Sequence, residues 1–247
     1  GEFTAFITAF LLAYQPAERL SKIIVDVQKN LVHVDQMFAV LGAENTENEF
    51  GDQVIDGGDT GLRFDNVSFD YADETPALRD VSFALVPGER IAIVGRSGAG
   101  KTTLIDLLQR FYSPSSGRIF LGDKDIATVA RASLRENIAY ISQDVFLFDG
   151  TIAENIADGN RDATATQIEQ AANLAQVAGF AANLPKGLDT EIGPNGAALS
   201  GGQKQRIGIA RALVKQAHIY IYDEATSALD GETERAIMEA AVSHAPD

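Results

Sequence analysis

Gly95-Arg96-Ser97-Gly98-Ala99-Gly100-Lys101-Thr102 is the stretch on which the fold turns. It fits G-x-x-x-x-G-K-[ST], with an apolar run (Ile91 to Val94) directly before it and a helical pattern (Thr102 to Phe111) directly after. Strand, glycine-rich loop and helix in that order predict a row of backbone N–H groups at a helix N-terminus, where the positive end of the dipole favours phosphate oxygens. In such a loop Lys101 reaches the β- and γ-phosphates and the Thr102 hydroxyl holds Mg²⁺; Thr103 is counted with the loop as nucleotide-binding. An ordinary glycine-rich turn would not need a Lys-Thr pair at the start of a helix.

A loop of this kind needs a metal partner, and Ile219-Tyr220-Ile221-Tyr222-Asp223-Glu224 supplies one, an apolar strand ending in two carboxylates. Asp223 is expected to support Mg²⁺, usually through water, and Glu224 to polarise an attacking water. A strand followed by a solvated acidic turn is the common reading of so short a string, but the loop upstream favours the metal. The two motifs together specify a nucleoside triphosphatase without saying which.

Outward from these motifs, apolar residues alternate in LRFDNVSFDY and VSFAL between Leu62 and Leu85, which predicts antiparallel strands. Beyond them, short strands (Ile91 to Val94, Ile138 to Ser142, Ile219 to Tyr222) are separated by helical stretches (Thr102 to Phe111, Thr166 to Leu184, Gly201 to Val214). That alternation predicts an α/β domain with a mainly parallel core sheet binding its ligand at the carboxyl edge. The domain is expected over 62–247, after a polar, acidic, glycine-rich linker over 42–61. Before the linker, Leu20, Ile23, Val27, Leu31, Val34, Phe38 and Leu41 recur every three or four residues, the pattern of one long amphipathic helix. The run from Phe3 to Tyr14 is apolar but shorter than the roughly 20 residues a bilayer span takes, which leaves a buried core helix or the end of a transmembrane helix.

The composition excludes several classes. Twenty Lys and Arg against 35 Asp and Glu give a net charge of −15, a field that repels nucleic acid. There is no Cys, so no disulfide or thiolate metal site, and the three His (His33, His218, His244) stand at no metal spacing.

Leu199-Ser200-Gly201-Gly202-Gln203, followed by KQRIGIARAL, narrows the class. Here the chain resembles the ATP-binding cassette (ABC) ATPases, whose signature is LSGGQ. Physically it is a second phosphate cradle: Ser200 and the amides of Gly201 and Gly202 at a helix N-terminus, aimed at the γ-phosphate on another subunit's loop. The resemblance covers nearly all of Leu62 to Glu239 and implies the ABC cassette fold, with an antiparallel β subdomain and a helical signature subdomain. It implies roles residue by residue: Tyr71 stacking on adenine, Gln143 contacting Mg²⁺ and the lytic water, and Asp230 (in Ser227-Ala228-Leu229-Asp230) crossing a dimer interface. Gln203 joins the nucleotide-binding set, and Glu224, Gln143 and Lys101 form the catalytic one.

The same resemblance implies ATP and Mg²⁺ as cofactors. Its partners would be a second cassette, as a homodimer or with a homologous half-transporter, and a transmembrane domain of the same polypeptide at the cytoplasmic face of a membrane. Thr190 to Gly196 looks like the X-loop of exporters, with Pro194 where a second Glu is usual, and residues 1–41 are similar to the end of a last transmembrane helix with its cytoplasmic extension. Export powered by ATP hydrolysis is the function implied; soluble ABC ATPases and regulatory nucleotide-binding modules are the alternatives. Cassettes of the family carry a switch His roughly thirty residues past the Glu that Glu224 matches, and Asp247 is reached sooner. The 247 residues alone are therefore expected to bind nucleotide but hydrolyse it slowly.

Overall fold

A computed structural model describes residues 1–42, 51–55, 61–71, 76–226 and 229–243. It divides into two units, Gly1–Asn48 and Glu49–Asp247.

The first unit is one helix, α1 (Glu2–Leu41), which runs through Pro16 instead of starting after it, and closes with the Gly42 N–H on the Phe38 carbonyl at 2.8 Å. Its described side chains are exposed, among them Phe3, Phe10, Leu20 and Phe38, so no core of the described residues covers its apolar stripe. Among the described residues, no helix is long and apolar enough to cross a membrane.

In the second unit, β1 (Leu62–Asp70), β2 (Pro76–Leu85), β3 (Ser116–Leu121) and β4 (Lys124–Asp125) form an antiparallel sheet in the order β2-β1-β3-β4. On β1 the buried apolar residues are Leu62, Phe64, Val67 and Phe69, an alternation that slips by one after Phe64. The register shift between Phe64 and Val67 explains the slip: Asn66 takes φ +48, and the extra residue returns Val67 to the core face.

A second, parallel sheet pairs β5 (Ile138–Ile141) with β6 (Ile219–Tyr222). One face, with Ile138, Ile219 and Ile221, packs on α2 (Lys101–Leu108) through Leu104, Leu107 and Leu108, in the same core as the antiparallel sheet. The other, with Ala139, Ile141, Tyr220 and Tyr222, packs on the core of α4 (Ile152–Ala157), α5 (Ala165–Leu174), α6 (Val177–Ala181) and α7 (Gly201–Val214). The period of two thus gives each face a core to pack on, with the β6 residues half-buried and Tyr140 exposed. Two further helices, α3 (Arg131–Glu136) and α8 (Gly231–Ser243), complete the unit.

Three expectations need correction. Ile91 to Val94 is not a strand: it belongs to neither sheet, and Ile91, Ile93 and Val94 are 48%, 45% and 88% exposed. An apolar segment becomes a strand only where a neighbour completes its ladder of hydrogen bonds, and β5 and β6 pair only with each other. The helix expected over Thr166 to Leu184 is broken at Gln176, whose φ of +57 separates α5 from α6. Within the stretch read as linker, Gln53 bonds Thr128 and Ala130 and the Ile55 N–H donates to the Ser133 hydroxyl at 2.9 Å, so 51–55 is bonded into the second unit. The rest of that stretch, 43–50 and 56–60, falls outside the described residues.

Candidate functional site

The loop from Gly95 to Gly100 enters α2 through Gly100, which takes φ +84 and gives the helix no side-chain cap. A side chain at Gly100 could not fit, since a Cβ there would lie 2.7 Å from the Ala77 carbonyl oxygen and from Leu78 Cδ2. Gly98 also has positive φ, +79, but faces open space. Between them the Ala99 N–H returns to the Arg96 carbonyl at 3.1 Å, and Ser97 sits in the exposed turn. Lys101 folds back over the loop, its Nζ donating to the carbonyls of Gly95 (2.9 Å) and Arg96 (3.2 Å). The result is an ammonium beside the uncapped N-terminus of α2, a field for an anion from two sources.

Tyr71, just after β1, is brought to the same helix: its hydroxyl lies 3.0 Å from the hydroxyl of the buried Thr103. Its ring meets the edges of Phe69 and Tyr112, with centroids at 5.0 and 5.5 Å. Three contacts on three sides hold the ring beside the helix that follows the loop.

At the carboxyl edge of the parallel sheet, the Asp223 N–H donates to the Ile141 carbonyl (2.9 Å) and its Oδ2 accepts the phenol O–H of Tyr140 (2.9 Å). Burial, the hydrogen bond to Asp223, and the charges of Asp223 and then Asp106 push the Tyr140 phenol up to about 12. Asp106, one turn along α2 from Thr102, has its carboxyl raised by burial and then by the charge of Asp223. Glu224 is exposed at φ +51, left-handed backbone that is costly for a side chain other than glycine, and next to it Ala225 is buried. Gln143 is exposed just past β5. Lys101, Thr102 and Thr103 open α2, Gln143 follows β5, and Asp223 and Glu224 follow β6; α2 and the two strands share one apolar core.

Ser200 is the N-cap of α7: its hydroxyl accepts the Gln203 N–H at 3.3 Å while the Gln203 Oε1 accepts the Ser200 N–H at 2.8 Å. This reciprocal pair holds the amides of Gly201 and Gly202 at the helix start. Leu199 belongs to the helical core whereas α2 belongs to the sheet-side core, so the signature and the loop stand on different bodies of side chains. Asp230 is exposed and accepts the Thr233 N–H (2.9 Å) and hydroxyl (2.8 Å), which hold its carboxyl below the usual range. Ser227, Ala228 and His244 lie outside the described residues.

The stretch from Thr190 to Gly196 is laced to the segment after Gln143: Ile192 N–H to Gly150 O, Ile152 N–H to Thr190 O, and Leu147 N–H to the Asn195 side chain. Pro194 opens a short 3-10 turn there. Sequence reading did not single out Arg211 on α7, which donates to the carbonyls of Phe146 (2.9 Å) and Asn155 (2.8 Å) and to the Asn155 side chain (2.9 Å). Nor did it single out Tyr140, although the period of two along β5 and β6 puts Tyr140 on the face of Asp223.

The donors fit a phosphate ligand with Mg²⁺. A side chain at Gly100 would run into β2, so the turn that presents the loop at the start of α2 requires glycine there. Hydroxyl, carboxylate and amide oxygens (Thr102, Asp223, Gln143) are the hard donors Mg²⁺ prefers. Among the described residues no cluster of three His, Cys, Asp or Glu could cage a metal.

Comparison with known proteins gives a match to the ABC transporter family over residues 78–227. The chain is 46% identical over 241 residues to the ATP-dependent lipid A-core flippase of Chromohalobacter salexigens, covering 97% of this chain and 42% of that protein. The flippase of the same description from Chromobacterium violaceum is 44% identical over 241 residues, covering 97% and 41%. A bacterial Atm1-family ABC exporter solved with ATP bound superposes with a TM-score of 0.78 at 41% identity, over 89% of this chain and 39% of that one. The chain spans about two fifths of the length of these relatives.

Proposed function

This chain belongs to the ABC transporter family, and on that footing we propose that it is the cassette that binds and hydrolyses Mg·ATP to drive export across a membrane. The observation that carries the reading is an uncapped helix start with Lys101 folded over its loop, on a helix that shares its apolar core with β6, the strand that Asp223 follows. In ATP binding, the amides from Gly95 to Gly100 and the α2 N-terminus take the phosphates, and Lys101 exchanges its two carbonyl partners for phosphate oxygens. Tyr71 offers its ring to the adenine. Thr102, Asp223 and Gln143 would hold Mg²⁺, which supplies charge neutralisation on the phosphates.

Glu224 and Gln143 orient the attacking water, with Glu224 accepting its proton. Charge that builds on the γ-phosphate is met by Lys101 and, from a partner cassette, by Ser200 and the amides of Gly201 and Gly202. Placing the signature on a core other than that of α2 suits this division of labour. The partner is a second cassette, identical or homologous, and the membrane-spanning part belongs to the same polypeptide, on its cytoplasmic side. Because the curated relatives are lipid A-core flippases, a lipid glycoconjugate is the substrate class we assign first.

Titration with a fluorescent ATP analogue tests the reading: Lys101→Ala should lose at least about tenfold in affinity, the worth of one charge-assisted contact. Equal affinity in variant and parent would remove the loop from the site.

A further inference from the structure

The proposed chemistry gives no role to the hydrogen bond from Tyr140 to Asp223. Its origin is in the strand register. Tyr140 stands opposite Ile221 in the parallel ladder, so the two side chains share a face, and Asp223, two residues further on, returns to that face. The phenol reaches diagonally across and donates to Asp223 Oδ2 at 2.9 Å, while the Asp223 N–H is already fixed on the Ile141 carbonyl at 2.9 Å. The carboxylate is therefore held twice from β5, once through its backbone and once through its side chain. A short aspartate at the end of a strand would otherwise rotate about χ1 and χ2, and a bond to one oxygen removes that freedom.

We propose that Tyr140 is a positioning residue for the metal, its phenol O–H locking one Asp223 oxygen and so setting the affinity of the nucleotide complex for Mg²⁺. The inference rests on the reading of Asp223 as the metal-side carboxylate. Among the described residues, the Tyr140 hydroxyl bonds Asp223 and makes no hydrogen bond to the nucleotide loop or Glu224, so its effect should fall on the metal and not on metal-free nucleotide. Because charge-assisted hydrogen bonds are the strong ones, losing this one should weaken metal binding about tenfold. Tyr140→Phe keeps the ring and, at a site 39% exposed, leaves the packing in place.

The probe is Mn²⁺, followed by the electron paramagnetic resonance signal of the free ion, with the ATP analogue present at saturation. A parallel titration of the fluorescent ATP analogue is done in EDTA, and Asp223→Asn is run in the same series. The inference expects Mn²⁺ affinity about tenfold weaker in Tyr140→Phe, with analogue affinity in EDTA within twofold of the parent. Mn²⁺ affinity within twofold of the parent while Asp223→Asn loses it would overturn the role of Tyr140 alone. Equal losses with and without metal would also overturn it, since they would mean a general distortion. Mn²⁺ affinity untouched in Asp223→Asn would instead remove the assignment of Asp223 on which the inference stands.

Discussion

Gly98 and Gly100 lie two residues apart in one loop with nearly the same backbone, φ +79 and +84, yet a methyl group would meet open space at the first and a backbone carbonyl and Leu78 at the second. Alanine at either position bears the left-handed penalty of about 1 kcal/mol. At Gly100 alone it adds the overlap at 2.7 Å with Ala77 O and Leu78 Cδ2, and because one of the two is main chain in β2, something must shift. Overpacking of that kind costs about 1–3 kcal/mol. Gly98→Ala should therefore destabilise by about 1 kcal/mol and Gly100→Ala by about 2–4 kcal/mol. Urea unfolding measures both, the difference in midpoint times a common slope giving the gap. Repeating it with nucleotide at 100 times its dissociation constant should add about 2.7 kcal/mol to the parent, and less to Gly100→Ala as its cradle is displaced. Equal destabilisation by the two variants, within about 0.5 kcal/mol, would refute the claim that α2 starts in direct contact with β2.

Arg211→Ala removes three hydrogen bonds from a largely buried guanidinium and should cost about 3 kcal/mol of stability, with Arg211→Lys recovering less than half because an ammonium cannot fork; thermal melting reads both. Thr164→Ala removes a reciprocal N-cap from α5 and should cost about 1 kcal/mol by the same measurement. Asp106 has its folded-state pKa raised, so the folded chain holds that proton more tightly than the unfolded one. The stability this contributes is fully present below the ordinary carboxylate pKa and is lost as pH rises through the raised value. Asp106→Asn should therefore raise the melting temperature most at about pH 7.5, the gain shrinking as pH falls toward about 4; a gain constant with pH would contradict the cause given.

Local patterns were legible where the sequence itself satisfied them. The two antiparallel strands, the strands at Ile138 and Ile219, and the helix from Gly201 to Val214 all followed from period, turn residues and caps. Ile91 to Val94 misled because a run of apolar residues states what a segment could bury and not whether a neighbour is there to pair with it. Gln176 hid a helix break, since left-handed backbone at a residue other than Gly or Asn leaves no local signal. At the site, the loop, Asp223 and the signature were visible as contiguous strings. Tyr140 and Arg211 act on partners 83 and 56 to 65 residues away, and only the folded register discloses such pairs.

Phosphate release by the proposed transporter subunit, compared between parent and Glu224→Gln at matched nucleotide occupancy, tests the central claim. The amide keeps the shape of the side chain but cannot accept the proton of the attacking water. The account predicts ATP affinity within about twofold and turnover lower by about 100-fold or more, the usual range for losing a general base. Turnover equal to that of the parent would contradict it.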